Sequence, residues 1–428
     1  MTLALSVWLA AFIVTFLLRV PVAFCMIISS VFYFFIEGID PGVIIENMVM
    51  GFEDKFVLLA VPLFIFTARI MNTGGVTTRI FNFTESMVGH LKGGLAHMNV
   101  AASTIFSGMT GSAIADASGL GLMEIKAMEE AGYDRPFSCA VTAASATVGP
   151  IIPPSIPMLI YAMLSGASVG ALFLGGVIPG ILMSAAMIIT IYMIAKKRDF
   201  PHGKAATLRS FMDSFRRAFL SLLTPVILLG GIYSGMFTPT EAAAVAACYA
   251  LILVIAVYRQ LGGRELVFAI RDTVESTGML SFIIAGALVF GYVIAREQLP
   301  AALAGYLLDI TTNKWMLLFL FNMLFLVLGC FLDTMVLLLI VVPIVLPAAI
   351  QSGIDPVHFG VVIVINMMIG LITPPFGMLL FIVCGLTDTP LSKVIREITP
   401  FLFALLFVLL LCTYVPGLVL FLPGVVGR

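Results

Sequence analysis

Apolar runs long enough to cross a bilayer recur along this chain from its first residues to its last, and they constrain its fold more than any other feature. A spanning helix needs about 20 mainly apolar residues. Only helices or closed barrels satisfy their backbone in lipid, and a run such as 398–422 is too long and uniform for the short alternating strands of a barrel. Charged residues make up 11% of the 428 positions, against roughly 25% in soluble domains. That is too little to cover a water-facing surface of this size. The expected fold class is an all-α polytopic membrane protein.

Other totals remove further function classes. A net charge of −1 leaves no basic surface for nucleic acid. Cys25, Cys139, Cys248, Cys330, Cys384 and Cys412 all lie in apolar stretches and never form a CxxC pair, so neither a disulfide framework nor a metal cluster is expected. His90, His97, His202 and His358 share no HExxH spacing, which leaves a zinc protease unsupported. The N-terminus lacks the basic region and cleavage site of a secretory signal, and the chain is read as mature from Met1.

Ten crossings are expected, near 3–18, 21–36, 56–71, 137–163, 168–195, 219–236, 240–258, 275–295, 357–385 and 398–422. Two further apolar blocks, 93–130 and 314–350, are interrupted at their middles, by Ser107 to Ser112 and between Gly329 and Thr334. Each half is short for a clean crossing, and both blocks read as re-entrant helical hairpins. Lysine and arginine collect in cytoplasmic loops. The segment 196–217 carries Lys196, Lys197, Arg198, Lys204, Arg209, Arg216 and Arg217, which places it in the cytoplasm. Both termini then fall outside, with 18 of the 22 basic residues inside and only Lys55, Arg296, Lys314 and Arg428 outside. This bias supports an even number of passes in each block; it does not separate a re-entrant pair from two crossings.

Displacing the chain on itself by 221 residues aligns the two broken blocks without a gap. Gly108 meets Gly329, Gly132 meets Gly353, Asp134 meets Asp355, Gly149 meets Gly370, and Pro153-Pro154 meet Pro374-Pro375. A proline pair inside an apolar helix removes two backbone donors and unwinds it. With the sidedness above, the first hairpin opens to the cytoplasm and the second to the outside, so the units are inverted-topology repeats. Interrupted segments at matching places in two halves point to a transporter site near the membrane midplane. The chain divides into N-terminal scaffold helices (1–72), a first repeat (73–195), scaffold helices with basic loops (196–274), a second repeat (275–397) and a C-terminal helix (398–428). Segments 76–92 and 298–312 are amphipathic and precede each hairpin, as surface arms linking a scaffold to a moving unit.

The stretches 106–121 (FSGMTGSAIADASGLG), 143–157 (AASATVGPIIPPSIP), 230–247 (GGIYSGMFTPTEAAAVAA) and 366–377 (NMMIGLITPPFG) carry a family resemblance. The chain resembles the large membrane subunit (DctM-like) of tripartite ATP-independent periplasmic, or TRAP, transporters. The resemblance implies a Na⁺-driven importer of organic acids such as sialic acid or C4-dicarboxylates, placed in the bacterial inner membrane and moving by an elevator. It also implies a periplasmic binding protein (DctP-like) and a small membrane subunit (DctQ-like), expected as a separate chain because the sequence begins directly at a large-subunit helix.

Asp333 is the sharpest single residue. An intramembrane carboxylate costs at least about 2.5–3.5 kcal/mol on insertion scales, and Asp333 sits at the second hairpin tip, where it either meets an ion or caps a helix. Its repeat partner is Ser112, one turn before Asp116, which faces the solute cavity or assists the cap. A first Na⁺ site is expected from Ser107, Thr110 and Ser112 with carbonyls of Val148, Gly149 and Pro150. A second draws on Gly329, Asp333, Thr334, Gly370, Thr373 and Pro374. Candidate solute contacts are Ser112, Asp116, Ser145, Arg296, Asp333 and Asn366. Arg296 either forks onto a solute carboxylate or anchors at the interface; Asn366 and its repeat partner Ser145 bind solute or glue helices. Thr238-Pro239-Thr240-Glu241 reads as a capping box that starts a helix. The acidic stretch Glu37, Asp40, Glu46, Glu53 and Asp54 faces outward, for docking or solvation. The nearest alternative function is a single-chain Na⁺/dicarboxylate symporter without a binding protein. An intramembrane protease lacks a dyad or metal cluster, and a channel suits repeated broken hairpins less well.

Overall fold

The computed structural model of the protein describes residues 2–53, 55–198, 200 and 207–426. Asp54, His202, Lys204 and Arg428 lie outside the described residues, so the acidic and basic segments are seen without them. All regular structure among the described residues is helical. Six helices are long and apolar enough to cross a membrane unaided: Phe56–Thr73, Val169–Arg198, Leu208–Tyr233, Pro239–Val257, Gly263–Arg296 and Leu391–Tyr414. The other expected crossings are built from shorter helices, either Leu3–Leu17 and Val22–Glu37 or the pieces of the two broken spans.

Leu3–Leu17, Val22–Glu37, Phe56–Thr73, Leu208–Tyr233 and Pro239–Val257, the helices expected as scaffold, pack on one another in neighbouring pairs. Gly263–Arg296, whose residues from 275 onward the sequence places in the second repeat, packs on Val22–Glu37 and Phe56–Thr73 in the same group. Gly263–Arg296 is 34 residues long, about 51 Å at 1.5 Å per residue against a hydrocarbon core of about 30 Å. The expected span 275–295 is therefore only part of it, and its first turns, with Arg264, Glu265, Arg271 and Asp272, project beyond the apolar layer. Thr238 begins Pro239–Val257 as expected. Its hydroxyl accepts from the Glu241 amide while the Glu241 carboxylate accepts from the Thr238 amide at 2.8 Å.

Both hairpins turn where the sequence breaks. The first is Gly94–Thr110 followed by Ala113–Glu130; the second is Lys314–Gly329 followed by Thr334–Ile340 and Val342–Gln351, which bend by 58° at Val341. Each is followed by a broken span: Arg135–Ala146 with Ile156–Ser165, then Pro356–Gly370 with Met378–Thr387. The 221-residue repeat is realised in backbone detail. Gly132 and Gly353 adopt φ of +91° and +75°, a region that glycine enters without steric cost. Asp134 and Asp355 have the same cap geometry, φ −63° and ψ 131°, each with proline in the first helical turn. Both proline pairs contain a cis peptide.

One expectation needs correction. The C-terminal helix is two helices, Leu391–Tyr414 and Gly417–Val426, because Val415 and Pro416 end the first; a proline disfavours helical geometry in the residue before it. Within the acidic stretch, Gly42–Glu53 is helical and packs on Gly263–Arg296.

Candidate functional site

The two hairpin tips approach each other from opposite repeats, and glycines allow each to close on a broken span. Gly111 ends the first arm at φ +60°, and a Cβ there would stand 2.4 Å from the Pro154 carbonyl oxygen. Gly329 of the second hairpin and Gly370 of the broken span that follows it touch backbone to backbone; a Cβ on Gly370 would lie 2.9 Å from Gly329. Around these closures lies a cavity of about 420 Å³. Thr110, Gly111 and Ser112 line it from one tip, Asp333 and Thr334 from the other, and Pro150 from the first break. Residues distant in sequence thus meet in one place.

Two hydroxyls at this cavity are chemically conspicuous. Thr110 Oγ1 and Thr334 Oγ1 are buried and lack a hydrogen-bond partner, a costly arrangement for a polar atom without a ligand. The neighbouring groups are partly engaged. Asp333 caps its helix by accepting from the Met335 amide at 2.8 Å, and Ser112 caps its own by accepting from the Ala115 amide at 3.4 Å. A capping carboxylate keeps further lone pairs for a cation. Thr110, Ser112, Pro150, Asp333 and Thr334 therefore bring oxygen atoms, the donor type a hard cation favours, to an otherwise mainly apolar cavity.

The remaining sequence candidates surround this surface without lining it. Ser107 is fully buried and donates to the Ser103 carbonyl at 2.5 Å. The Val148 carbonyl accepts from the Ile151 and Ile152 amides, inside the break. Gly149 lies 3.6 Å from the tip backbone, measured from its would-be Cβ to the Ala113 nitrogen. Thr373 donates to the Ile369 carbonyl at 2.7 Å, and it and Pro374 are half-buried at the second break.

Asp116, Ser145, Asn366 and Arg296 are held apart from the cavity. Asp116 is 1% exposed and faces the interior of its hairpin. Ser145 donates to Asn99 Oδ1 at 2.7 Å, and Asn366 Nδ2 donates to Asn322 Oδ1 at 2.9 Å. These matched residues both tie a broken span to the first arm of its own hairpin. Arg296 ends a scaffold helix, exposed, with its guanidinium donating to the Tyr292 hydroxyl at 3.4 Å. Sequence reasoning missed Arg69, Asn72 and Ser276, which line the cavity from Phe56–Thr73 and Gly263–Arg296. The sequence signal for Arg69 is a lone base in the last two turns of an apolar span.

Paired hairpins, broken spans and a shared cavity define a polytopic helical transport protein. The family described as "Tripartite ATP-independent periplasmic transporter, DctM component" matches residues 9–418, and the chain belongs to that family. It is similar to the sialic acid TRAP transporter large permease SiaM of Vibrio cholerae, with 46% identity over 94% of each chain. The sialic acid TRAP permease SiaT of Haemophilus influenzae is 41% identical over 99% of this chain and 68% of its own length. The C4-dicarboxylate TRAP large permease DctM of Pseudomonas aeruginosa is 40% identical over 88% of each. Among solved structures, the YdaH transporter of Alcanivorax borkumensis shares the fold, with TM-score 0.65 over 87% of each chain and 16% identity. The chain is accordingly a large permease subunit in the inner membrane, and not an enzyme.

Proposed function

We propose that this subunit imports an organic acid anion of the sialic acid or C4-dicarboxylate class together with Na⁺, receiving the anion from a periplasmic binding protein and working with a small membrane subunit. The observation that carries the proposal is the convergence of both hairpin tips on one cavity, with Thr110 and Thr334 hydroxyls unpartnered beside Asp333. Na⁺ is cargo here: its charge offsets that of the anion and its gradient drives entry. Thr110, Ser112 and the first break would hold one ion, and Asp333, Thr334 and the second break another. The anion would occupy the space between the tips.

An elevator movement fits the contact between hairpin and scaffold. Gly119 against Asn72 and Gly108 against Pro225 let the hairpin approach the scaffold closely without interlocking side chains of its own at these two points, which supports such a movement. Relatives are named for sialic acid and for C4-dicarboxylates, and both solutes carry the carboxylate the cavity must accept.

Reconstitution into proteoliposomes tests the proposal. Na⁺-driven uptake of labelled sialic acid or succinate should appear only when the small subunit and binding protein are both present. Uptake by this chain alone would make it a conventional symporter, and uptake indifferent to Na⁺ would remove the coupling.

A further inference from the structure

Arg69 supplies a positive charge at the edge of the cavity, from a scaffold helix and not from a hairpin. Its Nε contacts Asp272 Oδ2 at 2.5 Å, bridging Phe56–Thr73 and Gly263–Arg296. The side chains are 39% and 27% exposed, so neither partner is sealed in the protein. Asn72 and Ser276 flank the pair and also line the cavity. From the tips, the lining continues along Ile114, Ala115 and Ser118 toward Arg69, at the end of the scaffold that the basic-residue bias assigns to the cytoplasm.

We propose that Arg69 is the release-side contact for the anionic solute, exchanging Asp272 for the solute carboxylate as cargo leaves toward the cytoplasm. The inference rests on the transport function proposed above and adds a residue to it. A guanidinium has five donors in a planar fork that matches a carboxylate, so the solute can displace an aspartate partner with one of the same chemistry. Each partner offsets the loss of the other, which keeps the exchange close to balanced. Because Arg69 belongs to the scaffold, the contact exists only when the hairpin unit stands beside it, as here. It therefore acts at one stage of the cycle and leaves loading from the outer side untouched. Asp272 competes for the same guanidinium and so promotes release, preventing the carboxylate from being retained.

The test uses the three-part system in proteoliposomes, with the binding protein added only outside, so that only correctly oriented molecules take up labelled sialic acid or labelled succinate. Unlabelled solute of the same kind is placed in the lumen, and the luminal concentration that halves the initial rate reports affinity at the release side. Arg69→Gln should raise that concentration by about 10- to 100-fold, the effect of losing a charge-assisted hydrogen bond. Arg69→Lys should fall between Arg69→Gln and wild type. Asp272→Asn should lower the concentration, since the competitor is gone. A strut that merely joined two helices would not tighten release-side binding when Asp272 is neutralised, so an unchanged or weaker inhibition in Asp272→Asn overturns the proposal, as does an unchanged value in Arg69→Gln. Should Arg69→Gln not insert or not transport, Asp272→Asn decides alone. Wild-type vesicles without Na⁺-driven uptake would instead overturn the transport function, a result read before any variant is compared.

Discussion

Thr110 and Thr334 carry the most specific chemistry at the scale of single residues, because each buries a hydroxyl oxygen without a partner at the cavity. Replacing either by valine keeps the shape and removes the oxygen. Thr110→Val and Thr334→Val should each raise the Na⁺ concentration for half-maximal uptake by roughly fivefold, corresponding to about 1 kcal/mol for one lost polar contact. Initial rates against Na⁺ measure this, and superimposable curves would remove these hydroxyls from the ion sites. Asn366 separates two roles that the sequence leaves open. Its amide is bonded to Asn322 in the buried interior, so Asn366→Leu should lower stability by about 1–3 kcal/mol through a stranded polar partner, seen as a reduced unfolding temperature in detergent. Apparent solute affinity should stay unchanged; an affinity loss at full stability would make Asn366 a solute contact after all.

At the scale of elements, the glycines at turns divide by what surrounds them. Gly353 has φ +75° with open space around it, whereas Gly111 has φ +60° and the Pro154 carbonyl oxygen pressed against it. Gly353→Ala should therefore cost only the left-handed strain of about 1–2 kcal/mol and retain uptake. Gly111→Ala should abolish uptake, because the tip must move off the break; thermal unfolding and proteoliposome rates on the two variants give the comparison. Much of this was legible beforehand. The Gly-Pro breaks, the matched Asp134 and Asp355 caps and the Thr238 capping box all express local backbone rules that need only a few neighbouring residues. What escaped was set by the third dimension. Arg69 reaches the cavity only because Phe56–Thr73 packs beside Gly263–Arg296, and Ser145 and Asn366 turn inward because Asn99 and Asn322 wait on the neighbouring arm. The split at Pro416 was available in the sequence, but the apolar run masked it.

For the whole molecule, the central question is whether hairpins and scaffold move past one another. Asn72 on the scaffold and Gly119 on the first hairpin lie at one of their closest approaches. A cysteine pair at these two positions, in a Cys248→Ala background because Cys248 is the exposed native thiol, should trap this arrangement on oxidation. Uptake should stop with the oxidant and return with a reductant. Cross-linked protein that continues to transport would show that the two parts stay fixed. The two repeats, in contrast, are locked together. Tyr161 in the first broken span donates its hydroxyl to the Pro356 carbonyl at 2.7 Å, 195 positions later, and Gly360 makes room for the ring, a Cβ there falling 2.2 Å from it. During synthesis the first repeat enters the bilayer long before residue 356 has left the ribosome. Its buried tyrosine then lacks the Pro356 carbonyl and its helices lack the packing of the second repeat, so the nascent chain passes through a stage in which what the second repeat will later cover must be shielded in another way.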